Sequence, residues 1–149
     1  MPSKPPLEPY PPDLPDEPRA PDLAGELADA VVEDADWANR KAPRLSALRV
    51  ELRRVRLTGA ELAEATLRDV VFDECRLDLA GLRLAKLERV VFRDCRLEEV
   101  DLYGAQLKDV LFERCTLREA TLSAATLERC ELREALAEYA QRRRRFRGR

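Results

Sequence analysis

Hydrophobic residues return every five positions along most of this chain. Leucine or phenylalanine occupies 52, 57, 62, 67, 72, 77, 82, 87, 92, 97, 102, 107, 112, 117, 122, 127 and 132 without a break. Two places before each lies Val, Ala or Cys, from Val50 through to Cys130. A period of five fits neither the 3.6 of an amphipathic helix nor the 2 of a strand. A longer beat overlies it: VVFDEC at 70–75, VVFRDC at 90–95 and VLFERC at 110–115 set Phe72, Phe92 and Phe112, and Cys75, Cys95 and Cys115, in steps of 20. Repeats of this size predict a solenoid, and 20 divided by five predicts four sides to each coil.

The pentapeptides ATLRD, AKLER, VDLYG, AQLKD, ATLSA and ATLER, drawn from residues 65–129, resemble the pentapeptide repeat family, whose consensus is A(D/N)LXX. The resemblance implies an all-β fold, a right-handed quadrilateral β-helix. Each pentapeptide would form one side, with the central Leu or Phe (position i) and the residue at i−2 pointing inward and the other three outward. The run departs from consensus in rarely carrying Asp or Asn at i−1, Asp101 being the clear case.

In such a stack, residues 20 apart lie directly over one another at about 4.8 Å. Outward neighbours should then avoid like charges. On the phenylalanine side, i+1 gives Arg53, Asp73, Arg93, Glu113 and Arg133, and i+2 gives Arg54, Glu74, Asp94, Arg114 and Glu134. On the side centred at Leu67, Leu87, Leu107 and Leu127, the columns are Arg68, Glu88, Lys108, Glu128 and Asp69, Arg89, Asp109, Arg129. Sign alternates at every step except Glu74 to Asp94.

Extending the columns upstream adds Glu33, Asp34, Asp29 and Arg49, each preserving alternation. Trp37 and Val32 are in register, so the solenoid is expected over 23–134 with an irregular first coil at 25–49. A bulge is expected at RKAP (40–43), where Arg40 falls on an inward position and Pro43 would interrupt pairing. Residues 1–22, rich in proline and acid, read as a disordered arm; its PPLEPYPPDLP stretch serves as a solubilising tether or as a polyproline ligand. Leu132, Leu136 and Tyr139 at helical spacing predict a short C-terminal α-helix from about 133 to 145, which with the basic tail makes up 135–149 and caps the last coil.

Composition narrows the chemistry. The chain has 149 residues, 27 basic against 29 acidic, and no histidine, which removes the usual general base and commonest metal ligand. Four cysteines without CxxC-type spacing give no zinc signature. Three of them, stacked 20 apart, read as buried free thiols. No catalytic residue, cofactor or metal site is expected. The amino terminus lacks the apolar segment of a secretory signal and no run is long enough to span a membrane, so a cytoplasmic location is expected.

Two outward columns stand out. Val71, Val91 and Leu111 make an apolar stripe at i−1, covered either by a terminal segment of the same chain or by another protein or second copy. Arg56, Arg76 and Arg96 make an outward column of like charge at i−1, and Asp78 and Glu98 in the i+1 column beside it can neutralise the ladder. Family members include inhibitors of bacterial DNA gyrase that mimic duplex DNA and dimerise through a C-terminal helix; DNA mimicry needs long acidic columns, and these alternate. The expected function is a non-enzymatic protein–protein interaction scaffold, with topoisomerase binding by DNA mimicry as the alternative. The expected partner is a protein, or a second copy joined through the C-terminal helix or the stripe; neither membrane nor nucleic acid is expected.

Overall fold

The computed structural model describes residues 5–14, 23 and 25–134. Within them the chain forms five eight-residue strands: β1 (Glu26–Glu33), β2 (Ser46–Arg53), β3 (Thr66–Asp73), β4 (Lys86–Arg93) and β5 (Gln106–Glu113). Two short strands follow, β6 (Thr126–Glu128) and β7 (Glu131–Arg133). Every pairing is parallel and follows chain order, with β6 and β7 both pairing with β5. Partners are 20 residues apart throughout, as in Phe72 with Phe92 and Phe92 with Phe112. The result is an all-β parallel solenoid of about five turns.

What bends the chain into coils is a left-handed residue at every i+2. From Asp29 to Glu134 each fifth residue has positive φ, between 49° and 67°, and only Gly59 and Gly104 among them are glycine. Each eight-residue strand therefore spans two sides and turns at its centre, at Asp29, Arg49, Asp69, Arg89 and Asp109. The other two sides are shorter. They close through i→i+3 hydrogen bonds such as Ala80 N to Leu77 O (3.0 Å) and Ala85 N to Leu82 O (3.2 Å), with the positive φ at the third turn residue that type II turns require.

The backbone ladder continues along these shorter sides. Leu77 N donates to Arg96 O at 2.8 Å, and Arg76 N to Val55 O at 3.1 Å. Positions i and i−2 point inward as the resemblance implies: Leu77, Ala80, Leu82, Ala85, Val90 and Phe92 are fully buried. The phenylalanine rings stack at 4.7 and 5.0 Å between centroids, nearly coplanar, so each ring's face is covered by its neighbour.

The cysteine column has a structural reason that composition did not reveal. The thiols of Cys75, Cys95 and Cys115 donate to the carbonyls of Leu52, Phe72 and Phe92 at 3.2, 3.3 and 3.2 Å. These carbonyls belong to the preceding coil, and a buried acceptor without a donor is costly. Burial pushes the Cys95 thiol well above the ordinary cysteine range, which keeps it a neutral donor. Among the described residues no group of three or more His, Cys, Asp or Glu is placed to hold a metal ion, and no helix is long and apolar enough to cross a membrane.

Three expectations are corrected. There is no bulge at 40–43: Lys41 bridges to Glu61, Ala42 N donates to Glu61 O at 2.9 Å, and Ala42 and Leu45 are buried in register. Pro43 fits because its position is one that leaves the ladder without an N–H donor; the equivalents Ala63, Arg83 and Tyr103 serve there as acceptors. The predicted helix does not begin at 133, since Glu131–Arg133 is a strand; the rest of the expected C-terminal helix and basic tail, 135–149, lies outside the described residues. The arm read as disordered takes a defined path over 5–14, against the solenoid.

The corners make a testable demand on side chains. Leu79 stands at φ 61° and is 57% exposed, so it carries the left-handed penalty with little packing in return. Relieving that penalty, offset by the greater unfolded-state freedom of glycine, should make Leu79→Gly more stable by about 0.5–1 kcal/mol. Gly59→Ala should go the other way by about 1 kcal/mol or more, because Gly59 stands at φ 67°, where an L side chain is strained, and Asn39 would have to shift from the added Cβ. Urea midpoints of the two variants decide this, and a less stable Leu79→Gly would contradict it.

Candidate interaction surface

Val71, Val91 and Leu111 stack in one column as predicted, bracketed by Glu51 and Glu131. They are not an open patch. Although their side chains sit at an outward position, Val91 and Leu111 are only 6% and 8% exposed, and Val71 is half-buried. Of the two coverings the sequence left open, the one observed beside them is a segment of the same chain.

That segment is held by a corner. Asp29, Arg49, Asp69, Arg89, Asp109 and Arg129 follow one another up the bend that precedes the stripe. Each arginine grips the aspartate one coil earlier with two hydrogen bonds. Arg89 reaches Asp69 at 2.6 and 3.1 Å, and Arg129 reaches Asp109 at 2.7 and 3.0 Å; Arg49 binds Asp29 in the same way. Bidentate pairs of this kind are the strong form of the charge-assisted hydrogen bond.

The arm takes what the arginines leave. Asp13 N donates to Asp29 Oδ1 at 3.0 Å, Tyr10 N to Asp69 Oδ1 at 3.1 Å, and Leu7 N to Asp109 Oδ1 at 3.1 Å. The arm thus runs antiparallel to the coil axis, advancing three residues for every two coils. An extended polyproline-type segment rises about 9.3 Å in three residues, and two coils rise about 9.6 Å. The guanidinium of Arg89 lies 5.5 Å from the centre of the Tyr10 ring, inside cation–π range.

These contacts buried two charged carboxylates: Asp109 is 1% exposed and Asp69 4%. Both remain below the ordinary carboxylate range. At Asp109 the Arg129 guanidinium is the main cause, aided by Leu7 N–H. At Asp69 burial pushes upward and is outweighed by Arg89 and Tyr10 N–H. Arg49 and Asp13 N–H hold Asp29 down to about 2. Sequence reading found the Asp–Arg column by its alternation but missed the arm. The available signal was the non-proline at every third place, Leu7, Tyr10 and Asp13, against aspartates 40 residues apart.

Arg56, Arg76 and Arg96 are brought together as predicted, bridged backbone to backbone and all exposed. Arg56 has Asp36 one coil earlier at 3.6 Å. Within 4.0 Å, Arg76 and Arg96 form no ion pair among the described residues. In the next column Asp78 accepts from the Thr58 hydroxyl at 2.8 Å. Thr116 ends the arginine column, its buried hydroxyl without a hydrogen-bond partner among the described residues.

The depressed carboxylates predict acid release of the arm. Their contribution is complete above the ordinary range of about 4 and is lost as pH falls through their folded values. Tyr10 ring resonances should therefore move to free-peptide positions as pH is lowered from about 4 towards 2, the value Asp29 reaches. Unchanged Tyr10 resonances at pH 2 would contradict this.

Known proteins bear out the architecture. The family profile described as pentapeptide repeat region matches residues 46–122. Among solved structures, the pentapeptide repeat protein Rfr23 from the cyanobacterium Cyanothece 51142 aligns at a TM-score of 0.56 with 16% identity, over 76% of this chain and 86% of that one. QnrB1, a plasmid-mediated fluoroquinolone resistance protein, aligns at 0.52 with 21% identity, over 75% of this chain and 62% of its own. No curated protein sequence gives a match. The five-residue core period, the four left-handed corners per coil and the profile over 46–122 together place this chain in the pentapeptide repeat family.

Proposed function

We propose that this protein is a non-enzymatic scaffold that binds another protein through the face carrying Arg56, Arg76 and Arg96. The observation that supports this reading is the exposure of three like charges in one column, of which Arg76 and Arg96 form no ion pair within 4.0 Å among the described residues, whereas the charged columns of the phenylalanine side and of the Leu67 side alternate and pair. Arg53 meets Glu33 at 3.2 Å, Arg93 meets Glu113 at 3.1 Å, and Arg114 meets Asp94 at 2.7 Å. Exposed pairs like these contribute at most about 1 kcal/mol each, so their regularity favours a neutral surface over a binding one. The arginine column departs from that pattern, as do the Asp78 to Glu98 and Glu99 to Glu119 steps beside it, and the complement of its exposed guanidinium groups is an acidic surface on a protein partner.

The test is affinity capture with the full chain and with Arg56→Ser, Arg76→Ser and Arg96→Ser combined. At least one captured protein should be lost with the triple variant and kept by an Arg83→Ser control, whose arginine already contacts Asp101 at 3.4 Å and the Tyr103 ring at 4.5 Å. Identical captures would overturn the reading.

DNA mimicry of the gyrase-inhibitor kind requires an acidic face, and the columns described above do not supply one. The likeness to QnrB1, at 21% identity, carries the fold alone. The purified protein should accordingly be inert in a gyrase supercoiling assay at micromolar concentration. Inhibition there would displace the scaffold reading.

A further inference from the structure

The arm meets the solenoid with a period of its own. Pro6, Pro9 and Pro12 are half-buried, while Pro5, Leu7, Glu8, Tyr10, Pro11, Asp13 and Leu14 are exposed. One residue in three faces the solenoid, which is the periodicity of a helix with three residues per turn. The residue after each of those prolines donates its N–H to an aspartate of the corner ladder. Proline has no N–H to leave unsatisfied against the surface, so the triplet of proline followed by a donor satisfies the groove at each step. The side chains of Leu7 and Leu14 are 56% exposed, so the leucines are not anchors; the arm is attached by its backbone N–H groups, with its prolines turned to the solenoid and the Tyr10 ring against Arg89.

We propose that the corner ladder of Asp29, Asp69 and Asp109, with the adjoining Val91 and Leu111, is a binding groove for extended proline-rich segments, and that residues 5–14 are its built-in occupant. The ligand it fits is a polyproline-type segment that presents a proline and then a free N–H every third residue. Aspartates two coils apart read the N–H groups, and the apolar column beside them receives the rings. The chain's own arm holds the groove closed to a competing segment of the same kind, and release of the arm opens it. Known polyproline readers use aromatic walls; here fixed carboxylates, each oriented by an arginine, take that part. The inference stands apart from the arginine-column reading, since it concerns a different corner of the coil.

Two measurements on the full-length chain test it. In the unmodified protein, amide exchange resolved by residue should be at least tenfold slower at Leu7, Tyr10 and Asp13 than at Glu8 and Leu14; equal rates would overturn the register. In the second, a fluorescent peptide of residues 5–14 is titrated against the unmodified chain and against a chain carrying Leu7→Pro, Tyr10→Pro and Asp13→Pro, which removes the three donors and leaves the solenoid intact. The peptide should bind the variant at least tenfold tighter, and a peptide with the same three prolines should bind neither. Equal binding of the two peptides, or equal affinity for the two chains, would overturn the proposal. A dimer mass for the unmodified chain that disappears in the variant would assign the groove to a second copy's arm and overturn self-occupancy.

Discussion

Everything in this solenoid depends on turning the backbone through a corner every five residues without losing register. The left-handed conformation at i+2 does this, and most side chains pay about 1–2 kcal/mol to adopt it. With 20 non-glycine residues in that state, the fold stands only because each corner delivers its neighbours into the axial hydrogen-bond ladder and into a core sealed on four sides. Aspartate and asparagine enter this conformation most readily, which suits Asp29, Asp69 and Asp109 to their place as corner residues. The carboxylates that hold the arm are thus set where the backbone already favours them.

Stacking at one coil's height also explains the surface. Residues 20 apart are forced into contact, so inside the coil identical groups must tolerate one another, and outside it opposite charges pair along the columns of the phenylalanine and Leu67 sides. Phenylalanine stacks on phenylalanine, and each thiol closes a carbonyl of the coil before it. Outside, Arg114 lies between Asp94 and Glu134. The Glu74 to Asp94 step, the one break in alternation on the phenylalanine side, is relieved because Asp94 turns to Arg114.

The architecture was legible in the sequence because its rule is local and repeated: one glance at Val50 to Leu132 fixes which residues face inward. Single departures were harder to read. Arg40 and Pro43 looked like a fault, yet the ladder draws no donor from the proline's position and Ala42 and Leu45 keep the core. The arm was misread for a more general reason. Its ten described residues bury little apolar surface of their own, so composition alone places them among segments that do not fold. Their order comes from three N–H groups matched to carboxylates up to 102 residues away, and the three-residue spacing of those donors gains its meaning only beside aspartates 40 residues apart in the solenoid. The stripe of Val71, Val91 and Leu111 was legible as a column that something covers, but which of the two coverings was not; Val91 and Leu111 are buried, and the arm is held at Asp69 and Asp109, two residues before Val71 and Leu111.

The arm and the solenoid are geared together. Three residues of one correspond to 40 residues of the other, as the teeth of two scales coincide on a vernier. Insertion of a single coil would move the next aspartate out of phase with every proline triplet, whereas insertion of two coils together with one triplet would restore the mesh. Growth of this solenoid by repeat duplication is therefore quantised in pairs of coils for as long as the strap remains seated.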